Sequence, residues 1–233
     1  MMIDPLWIAL ALPGILLGLW AQFKVKSAYE RASRIPSRRG VTGAAAAQSI
    51  LESEGIRDVE VEPTHGVLSD HYHPFGKKLR LSEPNYRGDS LAALGIAAHE
   101  TGHAIQHHRG YVPLLVRSAL VPVTVAGQWI GQLAILGGVI LMMMRSHLGP
   151  MVLLAGVVGY AAVFLFTVIT LPVEFDASRR AMRVLADGGL VASDELPEVK
   201  RVLQAAALTY VAASVQVLGQ LLYVLSLFSR SRR

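Results

Sequence analysis

Two histidines and a glutamate stand together in His99-Glu100-Thr101-Gly102-His103, the H-E-x-x-H spacing. Residues four apart share a helical face, so His99 and His103 offer two imidazoles to one ion while Glu100, one step round, overlooks the ion's open side. The chain has 0 Cys, so any metal must sit on histidine and carboxylate. Tetrahedral catalytic zinc takes three protein ligands and a water, and a carboxylate beside that water can accept its proton. The expected chemistry is peptide hydrolysis with one Zn²⁺ per chain. His99 and His103 are ligands, and Glu100 is the general base that later returns the proton to the leaving amine.

The third ligand must come from elsewhere in the chain. His107 shares the helical face but lies eight residues from His99, about 12 Å along the axis, too far for three rings to share one ion. A metzincin would carry Gly at 105 and His at 109, where this chain has Ile105 and Arg109. An intramembrane site-two protease embeds the motif in a long apolar span, whereas here only Leu91 to Ala98 leads into it, flanked by Arg87, Asp89, His108 and Arg109. In the gluzincin arrangement the third ligand is a Glu on a later helix, and the segment from Pro172 to Arg180 supplies Glu174. Asp176 competes for the role, although on a helix it points about 200° away from Glu174.

A tetrahedral oxyanion needs a donor besides zinc. Arg179, Arg180, Tyr86 and His71 are the candidates, and their ordinary readings are solvated charges and surface residues. The strand Lys77 to Ser82, just upstream of the zinc helix, offers either an edge to which substrate pairs or an ordinary buried strand. The histidines His65, His71, His73 and His147 read as hairpin and loop residues.

These side chains need elements to carry them. Asp89 or Ser90 caps a helix from Leu91 to Arg109, which Gly110 ends. Thr42 caps an earlier helix through Ala44 to Glu54, stopped by Gly55. Between them, Val59 and Val61 alternate with Glu60 and Glu62, Leu68 to His73 can extend, and Leu79 and Leu81 alternate with Lys78 and Arg80. With turn chemistry at His73-Pro74-Phe75-Gly76, this predicts a sheet of two or three strands. A short helix from Glu174 to Ala186 follows later, and another starts at Ser193 with Pro197 in its first turn.

Of the 233 residues 52% are hydrophobic and 17% charged, which speaks against an ordinary soluble globule. Runs of about 20 apolar residues span a bilayer, and residues 3–23, 121–144 and 151–172 qualify. Residues 205–228 form a fourth run whose Thr209, Tyr210, Ser214, Gln216 and Gln220 read as a stripe facing other helices. Gly127 and Gly131 mark close helix packing. The expected domains are thus a first transmembrane helix at 3–23, a cytoplasmic α+β segment at 24–120 with the motif helix at 90–109, spans at 121–144 and 151–172, cytoplasmic helices at 173–204 carrying the third ligand, and a transmembrane or interfacial helix at 205–228. The two polar segments hold 18 Lys and Arg against 4 on the other side, which places them in the cytoplasm. A spanning fourth run would put the basic tail Arg230 to Arg233 outside, against that rule; an interfacial one would not. A formal charge of +5 and a pI near 9.7 would suit nucleic acid, but cytoplasmic loops need Lys and Arg anyway. The expected partners are a protein or peptide substrate and the lipid bilayer, and no nucleic acid. The fold class is mainly α: a polytopic membrane protein of about four transmembrane helices with a small cytoplasmic α+β zincin-like metallopeptidase domain.

The stretches Ser69-Asp70-His71-Tyr72, Leu79-Arg80-Leu81-Ser82, Ala97 to His107 and Leu171 to Arg180 resemble the YugP-type neutral zinc metallopeptidases of bacterial membranes, over nearly the whole chain. The resemblance implies a bacterial inner-membrane location and zinc-dependent peptidase activity. More distantly the chain is similar to HtpX-like and prenyl-protein-processing membrane gluzincins, in which a Glu opening an E-x-x-x-D helix binds zinc and the Asp steadies a ligand His. Here Ser178 occupies the Asp position, and a hydroxyl accepts from an imidazole N–H with less effect on its basicity than a carboxylate.

The leading expectation is a membrane-anchored zinc endopeptidase acting on membrane or unfolded proteins. The alternative is a zinc-binding membrane scaffold or adaptor without proteolytic activity. A metal carrier fits poorly, because the interiors of the apolar runs contain no Asp, Glu, Lys or His.

Overall fold

The structure is a computed structural model and describes residues 4–66 and 69–231. In chain order its elements are α1 (Pro5–Ala32), α2 (Gly43–Ser53), β1 (Glu60–Thr64), β2 (His71–His73), β3 (Lys78–Ser82), α3 (Glu83–Arg87), α4 (Leu91–His108), α5 (Val112–Met143), α6 (Gly149–Asp187) and α7 (Leu196–Ser231). The chain is mainly helical, with four helices long and apolar enough to cross a membrane and a small three-stranded sheet. It divides into two compact units. One comprises the described residues of Met1–Ala21, Val116–Leu171 and Thr209–Arg233, and the other Gln22–Leu115 and Pro172–Leu208.

The first unit is a helical bundle whose outward residues are apolar, among them Leu16, Leu19, Ile130, Leu133, Leu136 and Val158. So large an apolar surface suits lipid rather than water. Its helices meet through glycines. A Cβ on Gly219 would lie 2.1 Å from the Leu10 carbonyl oxygen, and one on Gly14 would lie 2.6 Å from Gln216 Cα. Arg230 Nη1 lies 3.3 Å from Asp4 Oδ2. The pairs 4–230, 10–219 and 14–216 run in opposite directions, so α7 lies antiparallel along α1. The fourth apolar run is therefore packed along the first. Arg230 falls beside the N-terminal end of α1; Arg232 and Arg233 lie outside the described residues. Between α5 and α6, a Cβ on Gly159 would come within 2.6 Å of the Gly127 carbonyl and 2.9 Å of Gly131 Cα, so these glycines serve close packing.

The third span and the short helix expected after it are a single helix, α6, with Pro172 in its interior. Helices α1 and α5 likewise contain Pro13 and Pro122, and α5 begins at Val112, ahead of the apolar run. Proline removes one backbone donor. Ending a helix leaves several groups without partners, so a continuous helix with one missing bond costs less where water is scarce.

The second unit is built around α4, which is buried on nearly every side. Its small residues Ala92, Ala93, Gly95, Ala97, Ala98 and Gly102 let neighbours approach closely, and Leu91, Leu94 and Ile105 join Ile50, Leu51, Leu185 and Val199 in one core. The Ser90 hydroxyl accepts from Ala93 N–H at the start of the helix, and the Thr42 hydroxyl does the same for Ala45 in α2. At the other end of α4, Gly110 adopts φ +62°, which glycine accepts without steric cost. The strand order is β1-β3-β2, with β1 parallel and β2 antiparallel to β3. Of the two readings of Lys77 to Ser82, a pairing edge or an ordinary buried strand, the second holds, because β3 is central. Chain order could not reveal this, because β3 returns between two strands that precede it. Asp70 fixes the approach to β2 by accepting from Ser82 N–H and Asn85 Nδ2 at 2.8 and 3.0 Å. Val67 and Leu68, part of the segment expected to extend, lie outside the described residues.

Overpacking a tight helix contact costs about 1–3 kcal/mol. Gly219→Val should accordingly lower the thermal unfolding midpoint in detergent by several degrees. Gly18→Ala, at a glycine whose added Cβ would meet no atom within 4 Å, should leave it unchanged. Equal midpoints would refute the antiparallel α1–α7 contact.

Candidate metal centre

Gly102 brings α4 against α6. A Cβ there would lie 2.7 Å from the Ala177 carbonyl oxygen, so the two backbones touch at a point flanked by His99 and His103 on one helix and by Glu174 and Ser178 on the other. Thr101, also fully buried, returns its hydroxyl to the Ala97 carbonyl at 2.7 Å and so has its own polar group matched within α4.

At this crossing three side chains converge. Glu174 Oε2 lies 3.2 Å from His99 Nε2 and 3.7 Å from His103 Nε2. The imidazoles meet edge to face with centroids 4.9 Å apart. One ligand atom from each of the three residues lies within 4.8 Å of the others. Ligands about 2.0–2.1 Å from a tetrahedral ion stand about 3.3 Å apart, so the donor set and its spacing fit zinc. Glu174 is 2% exposed. Burial opposes its charge, but hydrogen bonds from His103 and His99 outweigh burial and hold the carboxyl well below the usual carboxylate range. An anionic, buried carboxylate between two imidazoles is a strong attraction for a divalent cation.

The other ring nitrogens are engaged too. His99 Nδ1 lies 3.2 Å from the Ser178 hydroxyl, and His103 Nδ1 lies 3.0 Å from Gln106 Oε1. Asp176 stands away from the three converging atoms. Its Oδ2 accepts from Arg180 Nε at 2.6 Å and from Gln106 Nε2 at 2.9 Å. Burial disfavours its charge, but Arg180 and Gln106 more than offset this and its pKa is lowered.

Glu100 is 9% exposed, and its Oε2 accepts the Tyr72 backbone N–H at 2.9 Å. Tyr72 lies on β2, an edge strand, and this amide points away from β3. The Tyr72 hydroxyl lies 2.8 Å from His107 Nδ1. Burial, with Asp58 adding to it, pushes the Tyr72 phenol up to about 12, so it stays protonated at neutral pH.

The four oxyanion candidates have other occupations. Arg180 is held by Asp176 and lies over the Tyr111 ring at 5.7 Å. Arg179 is mostly exposed, 4.0 Å from Asp176. Tyr86 packs against the core formed by Ala47, Leu79, Leu81 and Ala97. His71 donates from Nδ1 to the Ser69 carbonyl at 2.8 Å, and its register opposite Arg80 puts it on the other sheet face from Tyr72. Gln106 and the Tyr72 amide were missed by sequence reasoning. Gln106 carries a signal, a long polar side chain one turn beyond His103 on a helix otherwise lined with apolar and ligand residues. The Tyr72 amide carries none, since every residue but proline has one.

Residues 7–229 match the family described as "putative neutral zinc metallopeptidase", and the chain belongs to that family. It is similar to the "putative membrane protease YugP" of Bacillus subtilis (strain 168), with 42% identity over 228 residues that cover 97% of this chain and 98% of the relative. No solved structure matches the chain.

Gly102→Ala should push α4 from α6 and separate the imidazoles from Glu174. Zinc content per purified chain should fall at least several-fold, as measured by atomic absorption after dialysis against a weak chelator. Undiminished zinc would show that the Gly102–Ala177 approach does not set the ligand spacing.

Proposed function

We propose that this chain is a membrane-anchored zinc endopeptidase that cleaves membrane or unfolded proteins at the cytoplasmic face of a bacterial inner membrane. The observation that carries the reading is the convergence of His99, His103 and Glu174, with a carboxylate, Glu100, on the residue next to a ligand. In this reading His99, His103 and Glu174 hold one Zn²⁺. Zinc supplies Lewis acidity, acidifying a water and polarising the scissile carbonyl. The Tyr72 N–H occupies Glu100 Oε2 and orients the carboxylate, leaving Oε1 to take a proton from water and deliver it to the leaving amine. A scaffold or carrier gains nothing from a general base in that place, which disfavours the alternative of a zinc-binding adaptor without activity.

The substrate would bind as an extended chain along the outer edge of β2. In an antiparallel ladder the N–H and C=O of one residue point to the same side, so the Tyr72 carbonyl faces outward with its N–H and can pair with a substrate amide. The edge lies next to Glu100, which brings the paired backbone to the base.

The cytoplasmic placement rests on the imbalance of 18 Lys and Arg against 4. The lack of native cysteine makes single-cysteine variants clean reporters. Ser53→Cys should react with an impermeant thiol reagent only in inverted vesicles, and Ser229→Cys only in intact cells or right-side-out vesicles. Both residues labelling from one side would overturn the topology.

Glu100→Gln should bind zinc like the wild type and lose at least about 100-fold in cleavage of an unfolded protein, the typical range for removal of a general base. A wild type that binds zinc yet cleaves nothing across a broad panel of unfolded and membrane substrates would favour the scaffold. Replacing Glu174 by Gln should reduce zinc occupancy much more than replacing Asp176 by Asn. The reverse ranking would move the third ligand to Asp176.

A further inference from the structure

Gln106 is completely buried, yet it is neither a ligand nor part of an apolar contact. Its amide makes three hydrogen bonds. Nε2 donates to the Val173 carbonyl at 2.8 Å and to Asp176 Oδ2 at 2.9 Å, and Oε1 faces His103 Nδ1 at 3.0 Å. The Val173 and Asp176 oxygens act here only as acceptors, so they fix which end of the amide is nitrogen. Oε1 can only accept, so His103 Nδ1 must carry the proton. In the neutral imidazole that a metal requires, the lone pair then falls on Nε2, the nitrogen that faces Glu174; without an ion that nitrogen can instead carry a second proton and donate to Glu174.

The geometry points to Gln106 as a positioning residue that locks His103 in its metal-binding tautomer, with Asp176 and Arg180 acting on the imidazole only through the Gln106 amide. The inference rests on the metal-binding reading above and extends it to residues that touch neither metal nor substrate. It also distinguishes the two histidines. Ser178 offers His99 a hydroxyl that rotates and can donate or accept, so it selects no tautomer. Gln106 has no such freedom, because both of its donor hydrogens are committed. Asp176 reaches His103 at one remove, and Arg180 Nε at 2.6 Å holds that carboxylate in place. In Glu174-Phe175-Asp176 one helical turn thus supplies both a ligand and the anchor of the opposite ligand's support.

Partners that orient a ligand histidine typically contribute 10–100-fold in metal affinity. The test uses the full-length protein in detergent with Co²⁺ as a spectroscopic probe and Zn²⁺ competition against a chelator for affinity. Gln106→Met keeps the length and burial and removes all three hydrogen bonds. It should weaken Zn²⁺ binding 10–100-fold and shift the visible Co²⁺ bands, as the ligand field loses a fixed imidazole. Gln106→Glu alone sets two carboxylates against each other and should also weaken binding. The double variant Gln106→Glu with Asp176→Asn restores an acceptor for His103 Nδ1 and a donor from residue 176, and should recover affinity to within about threefold of wild type. A merely structural role would not predict this rescue. Wild-type affinity and spectrum in Gln106→Met overturn the inference alone. A wild type that binds neither ion overturns the metal reading and the inference with it. Should Gln106→Met not fold, the comparison of Gln106→Glu with the double variant decides: no recovery overturns the relay.

Discussion

Everything at the candidate centre depends on how closely α4 and α6 approach. At Gly102 the helix backbone meets the Ala177 carbonyl with no room for a methyl group, and on either side the side chains of the two helices interlock. A carboxylate from one helix can reach between two imidazoles of another only if the axes are this near. A helix pair separated by ordinary side chains runs 8–10 Å apart, and a Glu side chain would then have to bridge a wider gap. The glycine between Glu100 and His103 thus does more than fill the variable part of the motif: it sets the distance across which His99, His103 and Glu174 converge.

Close approach has a consequence for polar groups. Once the helices exclude water, every buried polar atom needs a protein partner, because an unmatched one costs about 1–3 kcal/mol. Thr101 answers by bonding within its own helix. His103, Gln106 and Asp176 answer across the interface, in a chain that ends on the Arg180 guanidinium at the rim. Glu100 answers with the amide of an edge strand. These pairings leave the Nε2 atoms of both histidines turned toward Glu174, so the fold stabilises the arrangement that suits a divalent ion.

The apolar bundle follows the same logic with different chemistry. Its helices also approach through glycines, Gly14 and Gly219 in one pair and Gly127, Gly131 and Gly159 in another. The gain there is dispersion contact and not ligand geometry, since lipid offers no hydrophobic penalty to drive association. The two units share a packing device and use it for separate ends.

Much was legible from residue types and spacing. The register of His99 and His103 on one helical face is a property of the 3.6-residue repeat, and Thr42, Ser90 and Gly110 mark helix ends by local hydrogen bonding and backbone freedom, so neither requires knowledge of the fold. Apolar length likewise announces the four long helices, because a bilayer imposes it. Tertiary structure alone decided what depends on separation through space. It made β3 the central strand, joined the third apolar run and the Glu174 segment into one helix through Pro172, laid α7 antiparallel to α1, and tied Asp176 to His103 through Gln106. Periodicity records which way a side chain faces along its own element, whereas pairings between elements distant in the chain are set by which surfaces can pack without leaving polar groups unmatched. That is a property of the whole molecule, and no local pattern contains it.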